Sequence, residues 1–206
     1  AVSLDGQIAA ATGNSRWISG EKARREAHRM RSEADAVLVG GETARRDDPL
    51  LTARIRGGHD PLRVVLTSRP RALLRSRMAR EAGGALLVAC PAGASRRDAA
   101  ALRSLGARVL SLPAKAGKVR AAALLAALGA EGITSLLVEG GGKTAGWLAE
   151  ERAVDRYVLF VAPLLMGQGV RALTGWGCGE PASGRRLEFT SIRRVGDDLM
   201  ITAEPA

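Results

Sequence analysis

The residues best placed to do chemistry lie where apolar runs break into glycine. In Leu137-Val138-Glu139-Gly140-Gly141-Gly142-Lys143-Thr144-Ala145-Gly146 a strand-like run ends in a carboxylate, crosses three glycines and enters a helical pattern. Free backbone N–H groups and the positive end of a helix dipole meet at such a junction, and glycine lets an anion approach the main chain. Gly140, Gly142 and Ala145 formally fit G-x-G-x-x-A. The dinucleotide fingerprint, however, belongs to a first βα unit with an acid about 20 residues on, and this segment comes late without one. A tight turn with no ligand explains it equally well. Glu139 follows the apolar run directly, which puts it at the carboxyl end of a sheet, where open α/β folds bind ligands. A helix-capping or ion-paired glutamate is the competing reading.

A second stretch, Val39 to Arg54, leaves a strand through Gly40-Gly41 and then carries Thr43, Arg45-Arg46, Asp47-Asp48-Pro49, Leu51-Thr52 and Arg54. Paired acids suit a metal or acid/base role, but Asp-Pro is also turn chemistry, and the two arginines argue against a metal cage. Ser3-Leu4-Asp5-Gly6 and Gly13-Asn14-Ser15-Arg16-Trp17 supply further polar loop residues. His28, His59, Cys90 and Cys178 are too scattered for metal-ligand spacing, so no metal site is expected. His28 falls on a charged helix and reads as solvated. Neither a G-x-S-x-G elbow nor a P-loop is present. Phosphate cradles with few titratable groups suit a reaction whose hard step belongs to a cofactor.

The elements that must position these residues alternate between strand and helix, which specifies an α/β fold with a mostly parallel central sheet flanked by helices. Strands are expected at Ala36–Val39, Arg63–Thr67, Ala85–Ala89, Ala107–Leu110, Ser135–Val138 and Tyr157–Ala162. Helices are expected from Glu21 to about Glu33, and over Ser95–Leu105, Lys118–Leu128 and Lys143–Glu151. After Pro163 a Gly-rich stretch leads into Arg186–Arg193 and Leu199–Ala203, joined through Gly196-Asp197-Asp198. That piece reads as an antiparallel hairpin at the sheet edge.

The chain has 206 residues, 46% of them hydrophobic, with 31 basic against 21 acidic side chains. Residues 1–120 hold 23 basic and 11 acidic residues, so the net charge of +10 originates there. With only 3% aromatics and no helix-turn-helix, zinc-finger or basic-zipper pattern, nucleic acid is not the expected partner; an anionic small molecule is. No window is long and apolar enough for a membrane helix, and the two cysteines give no disulfide framework, so a cytoplasmic setting is expected. The chain opens on Ala1 inside strand-like sequence, as a piece cut from a longer protein would.

Taken in order, Ala1 to Gly6, Ser15 to Ser19, Val39 to Arg54, Glu139-Gly140-Gly141 and Ala162-Pro163 resemble the reductase domain of the bacterial bifunctional riboflavin-biosynthesis deaminase/reductase. The resemblance spans nearly the whole chain and implies one dihydrofolate-reductase-like reductase domain over residues 1–206. It also implies NADPH as cofactor, and reduction of the ribosyl group of 5-amino-6-(5-phosphoribosylamino)uracil to ribityl. By that resemblance the cofactor contacts fall on Ala1, Trp17, Thr43, Asp47, Ser68, Gly141, Gly142, Lys143, Thr144, Ala145, Gly146 and Trp147; Arg69 joins them by its position, since Ser68-Arg69 follows the Arg63–Thr67 strand and its guanidinium could hold the 2′-phosphate. Substrate contacts fall on Ser15, Arg31, Leu51, Arg54 and Glu139; Glu139 and Asp47 are the candidate catalytic carboxylates, orienting the substrate or assisting proton delivery to nitrogen, and a lone carboxylate that simply binds the uracil is the competing reading. Thr67 stands where many relatives carry Asp. The deaminase signatures H-x-E and P-C-x-x-C are absent, so that activity is expected elsewhere, in the same or a separate chain. A homodimer is expected, as in the family. The competing functions are a same-fold reductase of another heterocycle and a non-catalytic nucleotide-binding or dimerisation module.

Overall fold

A computed structural model describes Ala1–Ala206, which divide into two compact units, Ala1–Ala27 with Gly141–Ala206 and His28–Gly140. The strands in chain order are β1 (Val2–Ser3), β2 (Gln7–Ala10), β3 (Ala36–Gly40), β4 (Leu62–Leu66), β5 (Leu86–Pro91), β6 (Arg108–Leu112) and β7 (Ala114–Lys115). They continue with β8 (Lys118–Val119), β9 (Leu136–Val138), β10 (Tyr157–Ala162), β11 (Gly169–Arg171), β12 (Leu187–Val195) and β13 (Asp198–Pro205). The helices are α1 (Glu21–Glu33), α2 (Gly41–Asp47), α3 (Arg77–Arg80), α4 (Arg96–Ser104), α5 (Ala121–Gly129) and α6 (Gly142–Glu150).

The unit His28–Gly140 is built on a five-stranded, all-parallel sheet in the order β6-β5-β4-β3-β9. Its central strands are apolar at consecutive positions because both faces are covered. Val37, Val39, Val65, Leu86 and Val88 join one core with Leu51, Leu73, Met78 and Leu102, while Leu38, Val64 and Leu87, pointing the opposite way, are buried too. Asp35 bolts the start of β3 to the run before β9, its carboxylate accepting from Thr134 N (2.9 Å), Thr134 Oγ1 (2.7 Å) and Ser135 N (2.8 Å). Those donors hold the Asp35 carboxyl well below the usual carboxylate range. Arg63 is buried on β4 and donates to the carbonyls of Glu81, Ala82 and Ala85; burial lowers its proton affinity.

Two local expectations change here. Lys118-Val119 is not the start of a helix: Ala116 and Gly117, at φ 50° and 74°, turn the chain so that β8 pairs antiparallel with β7, and α5 begins only at Ala121. The stretch after Gly41, to which the sequence assigns no helix, forms the short helix α2, closed by Asp48 in the left-handed region at φ 40°.

In the other unit β1 pairs in parallel with β10, and β10, β13 and β12 follow antiparallel, giving the order β1-β10-β13-β12. Tyr157–Ala162 therefore belongs to this second sheet and not to the parallel one. The C-terminal hairpin is present and longer than expected, with Val195 opposite Asp198 across a two-residue turn containing Gly196 at φ 70°. Asp198 is buried and accepts from Gly20 N at 2.8 Å, which ties the entry to α1 onto the hairpin. No helix of the structure is long and apolar enough to cross a membrane.

Candidate active site

Within the unit His28–Gly140, the carboxyl ends of three adjacent strands, β4, β3 and β9, carry sequence-singled residues. Glu139 follows β9 and extends its pairing, its N–H donating to Leu38 O at 2.9 Å. From α1, Arg31 meets that carboxylate with a two-pronged grip: Nε donates to Oε1 at 2.6 Å and Nη2 to Oε2 at 2.7 Å. The two side chains are 15% and 24% exposed, so the pair is largely withdrawn from water while one edge stays open. The third guanidinium nitrogen, Nη1, donates to Thr52 O at 3.0 Å.

The 51–54 loop completes this corner. Leu51 and Arg54 both adopt left-handed backbone, at φ 57° and 53°. Ala53 N donates to Asp60 Oδ1 at 2.7 Å, and Arg54 Nε to Thr52 Oγ1 at 3.3 Å. The Leu51 side chain is 2% exposed and belongs to the core, which leaves its main chain for any contact. The Arg54 guanidinium is on the surface.

Beside β3, Thr43 on α2 lies against the Gly140 turn: a Cβ at Gly140, already at φ +72°, would come within 3.2 Å of Thr43 Cγ2. Ser68 and Arg69 follow β4 and are exposed, with Arg69 N donating to Thr67 Oγ1 at 3.0 Å. The adjacent acids divide their work. Asp48 closes α2 and accepts from Arg77 N at 2.8 Å, whereas Asp47 is exposed.

Ser15, Trp17 and the 141–147 turn belong to the other unit. Trp17 is 69% exposed, and the Arg24 guanidinium lies 4.4 Å from its ring centroid, held there by donation to Ser19 O at 2.6 Å. Helix α6 starts after Gly141 at φ +69°, with Thr144 N donating to Gly141 O at 3.0 Å, and the glycine turn opens onto the positive end of the helix dipole, an arrangement suited to a phosphate. Gly142 and Gly146 have a different reason to be glycine. A Cβ at Gly142 would overlap Arg171 O and one at Gly146 would overlap Thr174 O, while Thr174 N donates to Gly142 O at 3.0 Å. They let the 171–174 segment lie directly on the helix. The glycine pattern thus mixes one turn with one close chain approach, and only the turn concerns an anion. Lys143 is exposed in the first turn, and Trp147 Nε1 donates to Glu151 Oε1 at 2.9 Å.

By its place on a charged helix His28 is expected in solvent. The structure half-buries it, with Nδ1 3.2 Å from Thr52 O and 3.4 Å from Arg31 Nη1. Burial first, then the Arg31 charge, push its proton affinity below the ordinary histidine value. The only sequence signal was its position three residues before Arg31, on one helix face.

Comparison with known proteins places this geometry in a family. The model of the RibD C-terminal domain matches residues 1–201. The riboflavin biosynthesis protein RibD of Mycobacterium tuberculosis is 35% identical over 207 residues, covering 98% of this chain and 52% of that protein. The structure of Acinetobacter baumannii RibD superposes with a TM-score of 0.84 at 28% identity, over 100% of this chain and 56% of that one. That of a Thermotoga maritima diaminohydroxyphosphoribosylaminopyrimidine deaminase/5-amino-6-(5-phosphoribosylamino)uracil reductase gives 0.79 at 25% identity, over 100% and 54%. The chain spans about half the length of the curated relatives it matches.

Proposed function

This chain belongs to the RibD C-terminal domain family, and on that premise we propose that it reduces the ribosyl group of 5-amino-6-(5-phosphoribosylamino)uracil to ribityl with NADPH, in riboflavin biosynthesis. The observation that carries the proposal is the forked Arg31–Glu139 pair beside Arg54 at the carboxyl edge of the parallel sheet. It supplies an oriented carboxylate and a cation near a surface guanidinium, which suits a substrate carrying both a polar heterocycle and a phosphate.

The residues present fit a nicotinamide dinucleotide: the glycine turn before α6 offers the positive end of a helix dipole, and Ser68 with Arg69 offers a hydroxyl and a guanidinium for a 2′-phosphate. Ala1, Trp17, Thr43 and Asp47 are assigned the remaining cofactor contacts, with Gly141 to Trp147. When bound, the cofactor supplies a hydride to C1′ of the ring-opened ribosylamine, whose nitrogen takes up a proton. The chain's own part is to bind and orient. Arg54 receives the phosphate, and Ser15 is the further substrate contact that the resemblance implies; Arg31 holds Glu139 so that its remaining lone pairs face outward as acceptors. In this ion pair Glu139 is an acceptor and not a proton donor, so it orients the substrate while the proton comes from water or another group. Asp47, exposed at the end of α2, is the other carboxylate assigned here. A homodimer suits the edge strand β12, which leaves Phe189 70% exposed. The test is the consumption of NADPH on addition of the deaminated pyrimidine, with the ribityl product identified by mass. Consumption matched by product supports the proposal; intact substrate under saturating NADPH overturns it.

A further inference from the structure

We propose that His28 is a positioning residue of the substrate site: its neutral imidazole, protonated at Nδ1, holds the Thr52 carbonyl jointly with Arg31 and so fixes the 51–54 loop that presents Arg54. The inference rests on the reading of Arg31, Arg54 and Glu139 as substrate residues, and it adds a residue that neither the motifs nor the resemblance pointed to.

The hydrogen-bond geometry selects the tautomer. Thr52 O has two lone pairs and two donors within reach, Arg31 Nη1 at 3.0 Å and His28 Nδ1 at 3.2 Å. The alternative has Nδ1 accepting from Arg31 Nη1 at 3.4 Å. It would aim a ring lone pair at the Thr52 carbonyl oxygen, placing two acceptors face to face. With the proton on Nδ1, both contacts at Thr52 are satisfied.

The loop needs such a pin. Leu51 and Arg54 hold left-handed backbone without being glycine, a conformation that persists only where the surroundings over-determine it. Three ties do so: Ala53 N to Asp60, Arg54 Nε to Thr52 Oγ1, and the doubly held Thr52 carbonyl. Only the last connects the loop to α1.

The charges around the ring explain why a neutral donor stands there. Arg31 on α1 and Arg54 on the loop face it as cations, and Glu139 after β9 faces it as the one anion. Since Arg31 already grips Glu139 with two nitrogens, a third permanent cation at position 28 would meet mainly repulsion. Histidine donates through Nδ1 without carrying charge at neutral pH.

The experiment compares His28→Ala, His28→Asn and His28→Gln in steady-state reduction, with folding checked by thermal unfolding. Losing one neutral hydrogen bond should raise the KM of the phosphorylated substrate roughly three- to tenfold. The turnover number and NADPH affinity should stay within about twofold. Asparagine, whose amide reaches the Nδ1 position, should restore KM; glutamine, which reaches the Nε2 position, should not. The KM of the wild type should carry an inflection below about pH 6.5 that His28→Asn lacks, the phosphate's own titration being common to both. An alanine variant with unchanged KM, or rescue by glutamine and not asparagine, overturns the inference. NMR of isotope-labelled imidazole nitrogens decides it without turnover: an Nδ1–H tautomer titrating below free histidine supports it, and an Nε2–H tautomer overturns it. Absence of turnover in the wild type would count against the proposed reaction alone.

Discussion

Replacing Arg31 by Met removes three donors at once, two to Glu139 and one to Thr52 O, and leaves a carboxylate that is only 24% exposed without its partner. Breaking a fully buried pair costs about 3–5 kcal/mol, and the open edge of this one lowers the figure to about 2–4 kcal/mol, because water can reach the abandoned oxygens. For a chain of 206 residues each kcal/mol moves the Tm by about 2–4 °C, so calorimetry should show a fall of about 4–16 °C. Adding Glu139→Leu should recover most of that loss, since an apolar pair of similar volume avoids the desolvation cost, yet kcat/KM should stay at the low level of the single variants. The reasoning is refuted if Arg31→Met costs under about 0.5 kcal/mol, the behaviour of a surface ion pair, or if the double variant is as unstable as the two losses added together.

Gly146→Ala should destabilise by about 1–3 kcal/mol with or without NADPH, because the new methyl meets Thr174 O and not a ligand; a variant of native stability that fails only in NADPH binding would contradict the packing account. Asp35 has a folded proton affinity below its unfolded one, so the stability it adds is complete above about pH 4 and is lost as pH falls through the lower folded value. Asp35→Asn should therefore flatten the acid limb of a Tm-versus-pH curve, and an unchanged limb would show that the Thr134–Ser135 contacts contribute nothing. Arg69→Ala should weaken NADPH binding far more than NADH binding, as measured by titration calorimetry; equal weakening would remove Arg69 from the 2′-phosphate site.

Much of the parallel sheet is legible from composition alone. Ala36-Val37-Leu38-Val39 has no polar position to face water, and such a strand must be covered on both sides. The span of β10 is equally legible, but its neighbours are not: nothing in Tyr157–Ala162 says that β1 and β13 will flank it, because pairing partners lie at the far ends of the chain. Helix α2 escapes because its seven residues, running into Asp48-Pro49, carry no apolar period. At the site, the place of Glu139 follows from its strand, whereas its grip on Arg31 spans 108 residues of sequence and comes from tertiary structure alone. His28 is hidden for a related reason. Its partner is the main-chain carbonyl of Thr52, which leaves no trace in residue type, and its helix neighbours Arg25, Arg29 and Glu33 pair in solvent. Gly142 and Gly146 show the opposite failure, a pattern readable as a ligand cradle that mostly records two chain segments in contact.

The account stands on the carboxyl edge around Arg31, Glu139 and Arg54 being the substrate site, and Arg54 offers the most direct measurement. Charge-assisted bonds from arginine are worth roughly 1.5–3 kcal/mol, so Arg54→Ala should lower kcat/KM for the phosphorylated substrate about ten- to a hundredfold, mainly through KM, with NADPH affinity unchanged. On the dephosphorylated substrate the wild type and the variant should converge. If they differ there as much as on the phosphorylated one, Arg54 does not bind the phosphate and the substrate lies elsewhere.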